Sequence, residues 1–158
     1  MKLDIGSGYR PMKGKDWETL DVRPEVNPDI VADAYDIPRD DGYYDYVRAI
    51  SLLEHFNRDY ALIYLKEWHR VLKEGSTFEI SVPDMRLVGK SIFESKDSKE
   101  VLRVMLLIYG YQNYERNFHE WGYTEETLRR TLESVGFKNV KRIKSELYAE
   151  ELRMKATK

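Results

Sequence analysis

The sequence predicts an α/β fold built on one mostly parallel sheet. The first of three observations is the apolar run from Leu3 to Ile5, which ends in Gly6-Ser7-Gly8. A buried strand that turns sharply at its carboxyl end is typical of this pattern, because glycine has no Cβ to block the turn. Second, short apolar runs recur along the chain. Third, amphipathic stretches separate the later runs, and strands that alternate with helices predict a layered domain.

Seven strands are expected, and the last two should form an antiparallel pair because they lie close together in sequence. The expected strands cover residues 3–5, 19–22, 29–33, 44–50, 77–82, 140–143 and 152–156. The first two crossovers, residues 9–18 and 23–28, are short and contain prolines. Proline disfavours helix interiors, so we expect loops or at most one helical turn at these crossovers.

Four helices are expected after the fourth strand. The first covers residues 58–73, with Asn57 as its N-cap and Gly75 as its stop. Two more lie within residues 85–118, separated by residues 95–98, and a fourth covers residues 125–134 after the capping residue Thr124. We interpret residues 1–158 as a single domain in which residues 85–123 form a helical and aromatic lid.

Composition excludes several classes of function. The chain has 158 residues, a net charge of -2 and no cysteine. Disulfides, thiolate metal sites and a cysteine nucleophile are therefore excluded. The near balance of charges provides no general electrostatic attraction for nucleic acid. Neither a membrane-spanning run nor a signal peptide is recognisable, so we expect the protein in the cytoplasm, with no membrane partner.

Five motifs follow one another along the chain and together carry a family resemblance. They are L-D-I-G-S-G, L-D-V around Asp21, V-A-D-A-Y-D-I-P, Y-D-Y-V-R-A-I-S-L-L-E-H-F, and W-H-R-V-L-K-E-G before a strand that ends in V-P-D. Together they resemble the class I S-adenosylmethionine-dependent methyltransferases, in particular small members with L-E-H after the fourth strand and R-V-L-K-x-G before the fifth. The resemblance implies a Rossmann-like seven-stranded sheet and S-adenosyl-L-methionine as cofactor.

The resemblance also implies a set of cofactor-binding residues. They are Asp4, Gly6, Ser7, Gly8, Asp21, Val22, Asp33, Ala34, Ile50, Ser51, Leu52 and His55. Asp21 would accept hydrogen bonds from the ribose hydroxyls, because an ionised carboxylate is an acceptor with two oxygens. Asp33 would accept from the adenine amino group, while the Ala34 amide donates to a ring nitrogen. Asp4 either orients the ligand through water or holds the amides of the glycine loop.

A metal is not predicted. Some methyltransferases hold a metal through Glu-x-x-Glu-His, but Ser51 stands here in place of the first acid of that pattern. We therefore expect His55 to line or cap the pocket rather than to bind a metal or act as a base.

The expected acceptor pocket lies over the carboxyl ends of the fourth and fifth strands. His119 is the first choice for a general base because a histidine titrates near neutrality, and Asp84 is its competitor. Tyr111, Tyr114 and Trp121 could contact the acceptor or could simply pack the extra helices. The Asn/Asp-Pro-Pro-aromatic motif of many nucleic-acid methyltransferases is missing, so a small-molecule or saccharide acceptor is expected.

Three departures from the wider class bear on assembly and on alternative functions. The third glycine is missing after Gly8, no helix is expected before the first strand, and the first two crossovers are short. A parallel sheet normally has both faces buried, so we expect a homodimer to cover the gap.

A nicotinamide-dependent oxidoreductase would need G-x-G-x-x-G, which fails here at Pro11. A non-catalytic binding or structural protein with a methyltransferase fold stays open.

Overall fold

The computed structural model describes residues 1–158 and contains the seven expected strands in one sheet. They are β1 (Lys2–Ile5), β2 (Trp17–Asp21), β3 (Ile30–Val31), β4 (Tyr44–Ile50), β5 (Leu72–Pro83), β6 (Lys138–Ile143) and β7 (Glu151–Thr157). The strand order is β3-β2-β1-β4-β5-β7-β6, with β1 to β5 parallel. β7 is antiparallel to both β5 and β6, which confirms the predicted last pair and inserts β7 between its neighbours.

Every α-helix of the chain follows β4. The helices are α1 (Arg58–Val71), α2 (Met85–Glu94), α3 (Ser98–Tyr109) and α4 (Glu125–Ser134). No helix joins β1 to β2, and only a 3-10 helix at Pro24–Val26 joins β2 to β3, as predicted for these crossovers. No helix of the chain is both long enough and apolar enough to span a membrane.

Helix α1 begins as predicted and ends earlier than predicted. The Asn57 side chain accepts hydrogen bonds from the Asp59 and Tyr60 amides, both at 3.1 Å. The helix ends at Val71, and β5 begins at the next residue. The prediction that Gly75 stops the helix is therefore wrong. Leu72 is already paired with Tyr44 of β4, so strand pairing replaces the last helical turn.

One face of the sheet carries the hydrophobic core. Its side chains come from alternate positions of the central strands, as the pleat requires. They pack against the apolar sides of α1 and α4 in one buried cluster that includes Leu3, Ile5, Val47, Phe78, Ile80, Met154, Leu65, Trp68 and Leu128. Trp68 and Phe78 lie 5.9 Å apart between ring centres. This face anchors α1, the first α-helix after β4.

The other face of the sheet is polar and ion-paired. Asp4 lies 3.0 Å from Arg48, and Glu79 is bound by Arg153, Lys155 and the Tyr46 hydroxyl. Burial alone would raise the pKa of Glu79, but hydrogen bonds from Tyr46 and Arg153 outweigh it, and the pKa lies below its usual value. Paired charges replace apolar contacts here.

Helices α2 and α3 pack against each other where β5 ends and β7 begins. The Ser91 hydroxyl and the Arg103 guanidinium both donate to the Glu150 carboxylate, at 2.7 and 2.8 Å. Val88 and Val104 are buried but lie outside the main core. These helices and the irregular residues 110–123 occupy the range that we interpret as a lid. Residues 110–123 are called the lid stretch below.

Candidate functional site

A cavity of about 380 Å³ opens at the carboxyl ends of β1, β2 and β4. In open α/β sheets, ligands bind at these strand ends, where the strand order reverses. The predicted cofactor-binding residues that line the cavity are Gly6, Asp21, Val22, Asp33, Ala34, Ser51, Leu52 and His55. Asp4, Ser7, Gly8 and Ile50 do not line it. The same cavity also takes in side chains from residues 110–123.

The turn after β1 requires glycine at position 6. Gly6 has a φ of 64°, and its N–H donates to the Leu20 carbonyl at 2.7 Å. A Cβ added there would lie 2.8 Å from Leu52 Cδ1. Glycine at position 6 therefore lets the chain turn at the edge of the cavity without crowding Leu52.

Asp21 lies at the end of β2, buried, with every acceptor position of its carboxylate already used. It accepts from the Gly8 amide at 2.9 Å and from the Arg23 amide at 3.0 Å. The Arg23 guanidinium adds bonds at 3.1 and 3.3 Å. A carboxylate has about four acceptor sites, so a ribose hydroxyl has to displace Arg23 donors to bind here. Sequence reasoning missed Arg23, and no motif marks it.

Asp33 is held by a residue from the lid stretch. Its carboxylate accepts from Arg116 Nη1 at 3.0 Å, which brings together residues 83 positions apart in sequence. The Ala34 amide donates no hydrogen bond within the chain, as its predicted role requires, and the Ala34 carbonyl accepts from Trp68 Nε1 at 2.9 Å. The adenine side of the predicted site therefore has one free donor and one ion-paired acceptor.

Asp4 does not line the cavity, and its side chain holds the loop after β1. It accepts from the Met12 amide at 2.9 Å and forms the ion pair with Arg48. Burial raises the pKa of Asp4, while Arg48 and Met12 lower it by smaller amounts. This geometry matches the loop-holding alternative for Asp4.

Neither residue predicted for catalysis lines the cavity. Asp84 is the N-cap of α2, accepts from the Arg86 amide at 3.1 Å and pairs with Arg142 at 3.0 Å. His119 lies behind His55, with ring centres 4.8 Å apart and perpendicular planes. Burial lowers the pKa of His119. Asp84 thus has a structural position, and His119 is separated from the cavity by another imidazole.

Glu54 is a second residue near the site to which sequence reasoning gave no role. It lies with His55 in a 3-10 helix at Leu53–His55, directly after β4, and is 1% exposed. Burial raises its pKa to about 8, and neither carboxylate oxygen has a hydrogen-bond partner. Its backbone carbonyl accepts from the Glu120 and Trp121 amides at 2.8 and 3.2 Å. The L-E-H motif contained the signal, but only the fold shows the burial.

Of the aromatic side chains predicted to contact an acceptor, only Tyr114 lines the cavity. The Arg23 guanidinium lies 4.8 Å from its ring centre. Tyr111 is 70% exposed, and Trp121 lies outside the cavity near Arg58. Tyr114 thus links the lid stretch to the arginine on Asp21.

Known structures share this fold. A SAM-dependent methyltransferase from Archaeoglobus fulgidus has a TM-score of 0.66 and 17% identity over 99% of this chain and 85% of its own. One from Thermotoga maritima has a TM-score of 0.62 and 14% identity, covering 99% and 81%. The 1,6-didemethyltoxoflavin-N1-methyltransferase of Burkholderia thailandensis, solved with S-adenosylhomocysteine, has a TM-score of 0.64 and 15% identity, covering 99% and 70%.

Sequence comparison identifies the family. No curated protein matches the chain significantly. Residues 3–142 match the family described as a methyltransferase domain, and this range contains β2 to β5, all of β1 except Lys2, and the whole cavity. The chain therefore belongs to the methyltransferase domain family.

Proposed function

We propose that the protein is an S-adenosyl-L-methionine-dependent methyltransferase that acts on a small-molecule or saccharide acceptor. The observation that carries this proposal is the cavity at the strand ends, lined by Gly6, Asp21 and Asp33. The close turn at Gly6 fits the methionine portion of the cofactor, since a Cβ there would crowd Leu52, another residue that lines the cavity. Asp21 and Asp33 lie where carboxylates can accept from a ribose and from an adenine amino group.

The chain's part in the reaction is alignment and exclusion of water. The bound cofactor supplies a sulfonium methyl group for in-line displacement. Phe56, Tyr64 and Tyr114 line the cavity, and aromatic rings near a sulfonium attract it through a cation–π interaction. Holding the reacting groups in line supplies much of the rate enhancement in such a displacement, and a lid from residues 110–123 keeps water out.

A small acceptor is supported by the absence of a net positive charge and by the size of the cavity. Nucleic acid is not part of the proposal. A general base is required only for an acceptor whose proton must be removed before attack. His119 and Asp84 remain the two proposed candidates for that base, and neither lines the cavity. Unchanged turnover in His119→Ala would exclude His119 as the base.

The test is calorimetric titration of wild type and Asp21→Asn with S-adenosylmethionine and S-adenosylhomocysteine. We expect micromolar binding to wild type and a loss of about 1–3 kcal/mol in the variant, the range for hydrogen bonds to a charged group. Asp36→Asn is the matched control, because Asp36 is exposed nearby and does not line the cavity. Binding of neither ligand by wild type would overturn the proposal.

One observation supports a second candidate, a non-catalytic protein that retains the methyltransferase fold. The Arg23 guanidinium occupies the Asp21 oxygens that a ribose would use. If this arrangement is permanent, the same titration will show no cofactor binding to wild type, in which Arg23 is present.

A homodimer and a cytoplasmic location complete the proposal. The dimer rests on the two crossovers after β1 and β2, neither of which contains an α-helix, and light scattering tests it. A monomeric mass across a range of protein concentrations would exclude the dimer.

A further inference from the structure

Three side chains from two distant segments form a cluster beside the cavity. Glu54 and His55 come from the turn after β4, and His119 comes from the lid stretch, 64 residues after His55. One possible ligand atom of each side chain lies within 4.8 Å of the other two. His55 also lines the cavity.

Hydrogen bonds orient both imidazoles in the same way. His55 Nδ1 lies 2.9 Å from the Phe118 carbonyl, and His119 Nδ1 lies 2.9 Å from the Leu107 carbonyl. A carbonyl can only accept, so each Nδ1 carries the proton and each Nε2 keeps its lone pair. Anchoring one ring nitrogen on a carbonyl is the arrangement that fixes the tautomer and orientation of a metal-binding histidine.

The Glu54 carboxylate completes the cluster and forms no hydrogen bond or ion pair within the chain. The residue is 1% exposed, and neither of its oxygens has a hydrogen-bond partner. Buried carboxylates are nearly always paired, hydrogen-bonded or bound to a metal. None of the arginine or lysine side chains forms an ion pair with it.

We propose that Glu54, His55 and His119 bind a divalent transition-metal ion. Two imidazoles and one carboxylate form a donor set that suits Zn²⁺ and leaves a position for water or substrate. Ligand atoms around tetrahedral zinc lie about 3.4 Å apart, so separations of up to 4.8 Å have to shorten by up to about 1.4 Å when the ion binds.

The ion would fasten the lid to the sheet. His55 follows β4, while His119 belongs to the segment whose Tyr114, Arg116 and Glu120 close the cavity. Because Ser51 stands where an acid is needed, the sequence excludes only the Glu-x-x-Glu-His pattern of metal ligands. The tertiary structure supplies His119 as a different third ligand.

Titration of chelator-treated protein with ZnCl₂ tests the site. We expect one ion per chain and a higher thermal midpoint with zinc, because a ligand that binds only the folded state stabilises it. Substitution of a residue that hydrogen-bonds to a metal ligand typically weakens metal binding by roughly 10–100-fold. Glu54→Gln and His119→Gln change the ligands themselves, so each should weaken zinc binding by more than that. The titration contains no cofactor, so its outcome is independent of the proposed methyl transfer.

His69→Gln is the matched control, since His69 is the third histidine of the chain and packs on Phe137 instead. Its zinc affinity should equal that of wild type. Absorption of Co²⁺-loaded wild type needs no variant: tetrahedral d–d bands support the site even if a substitution unfolds the chain. Absence of both zinc binding and these bands, or equal loss of affinity in His69→Gln and His119→Gln, would overturn the proposal.

Discussion

The two walls of the cavity differ in what holds them in place. The wall at the strand ends consists of sheet residues such as Gly6, Leu20 and Asp21, whose backbone is bonded within or beside the parallel strands. The opposite wall comes from the lid stretch, where Tyr114 is 42% exposed and Arg116 is an exposed side chain. The first wall is therefore formed by the fold itself, whereas the second depends on a few side-chain contacts.

Each wall also places an arginine on a carboxylate predicted to bind the cofactor. In the Arg23–Asp21 pair the side chains are 20% and 5% exposed, and in the Arg116–Asp33 pair they are 62% and 20% exposed. Charge pairs are stronger where water is excluded. The ribose side is thus closed by the tighter pair, and the adenine side by a pair that solvent can open.

The largest expected effect comes from changing the strand-end wall itself. Gly6→Ala should weaken cofactor binding more than about tenfold, because its Cβ meets Leu52 and the residue must keep a positive φ. Gly75→Ala is the matched control: its φ is 73°, with no atom within 4 Å of an added Cβ. Both variants should lose about 1–2 kcal/mol of unfolding free energy. Calorimetry and thermal unfolding separate the two effects, and equal cofactor affinity in both variants would contradict a preformed wall.

An intermediate effect of opposite sign is expected from Arg23→Ala. Removing the guanidinium frees Asp21 for the ribose, so affinity for S-adenosylhomocysteine should rise by about 1 kcal/mol, the size of a typical net hydrogen bond. Arg39→Ala is the control, since Arg39 pairs with Glu18 and does not line the cavity. Weaker binding in Arg23→Ala would mean instead that Arg23 contacts the cofactor.

The smallest effect is expected from Arg116→Ala in the lid wall. Exposed ion pairs contribute about 0–1 kcal/mol, so freeing Asp33 should raise affinity only a few-fold. Added salt should raise the affinity of wild type and leave the variant unchanged, because salt screens the exposed pair. Arg130→Ala removes a comparable exposed pair with Glu126 on α4 and should have no effect on binding. A loss larger than that of Gly6→Ala would reverse the comparison between the walls.

Local sequence signals predicted the strands and the first two crossovers well, since they depend on residues close together in the chain. Asn57 caps α1 as expected because capping involves amides two and three residues away. The stop at Gly75 failed because pairing with Tyr44 of β4, remote in sequence, converts residues 72–75 to strand. Asp21 and Asp33 could be predicted to lie at the cavity because a strand end is a local pattern, but the arginines that pair with them could not.

The sequence by itself determined the α/β class, the glycine turn after β1 and the acids at the ends of the next strands, because hydrophobic periodicity and glycine geometry act over a few residues. The tertiary structure alone decided that one sheet face is ion-paired. It also decided that Arg116 reaches Asp33, and that Glu54 and His55 meet His119. These contacts join residues dozens of positions apart, and their burial depends on the packing of the whole chain rather than on any local pattern.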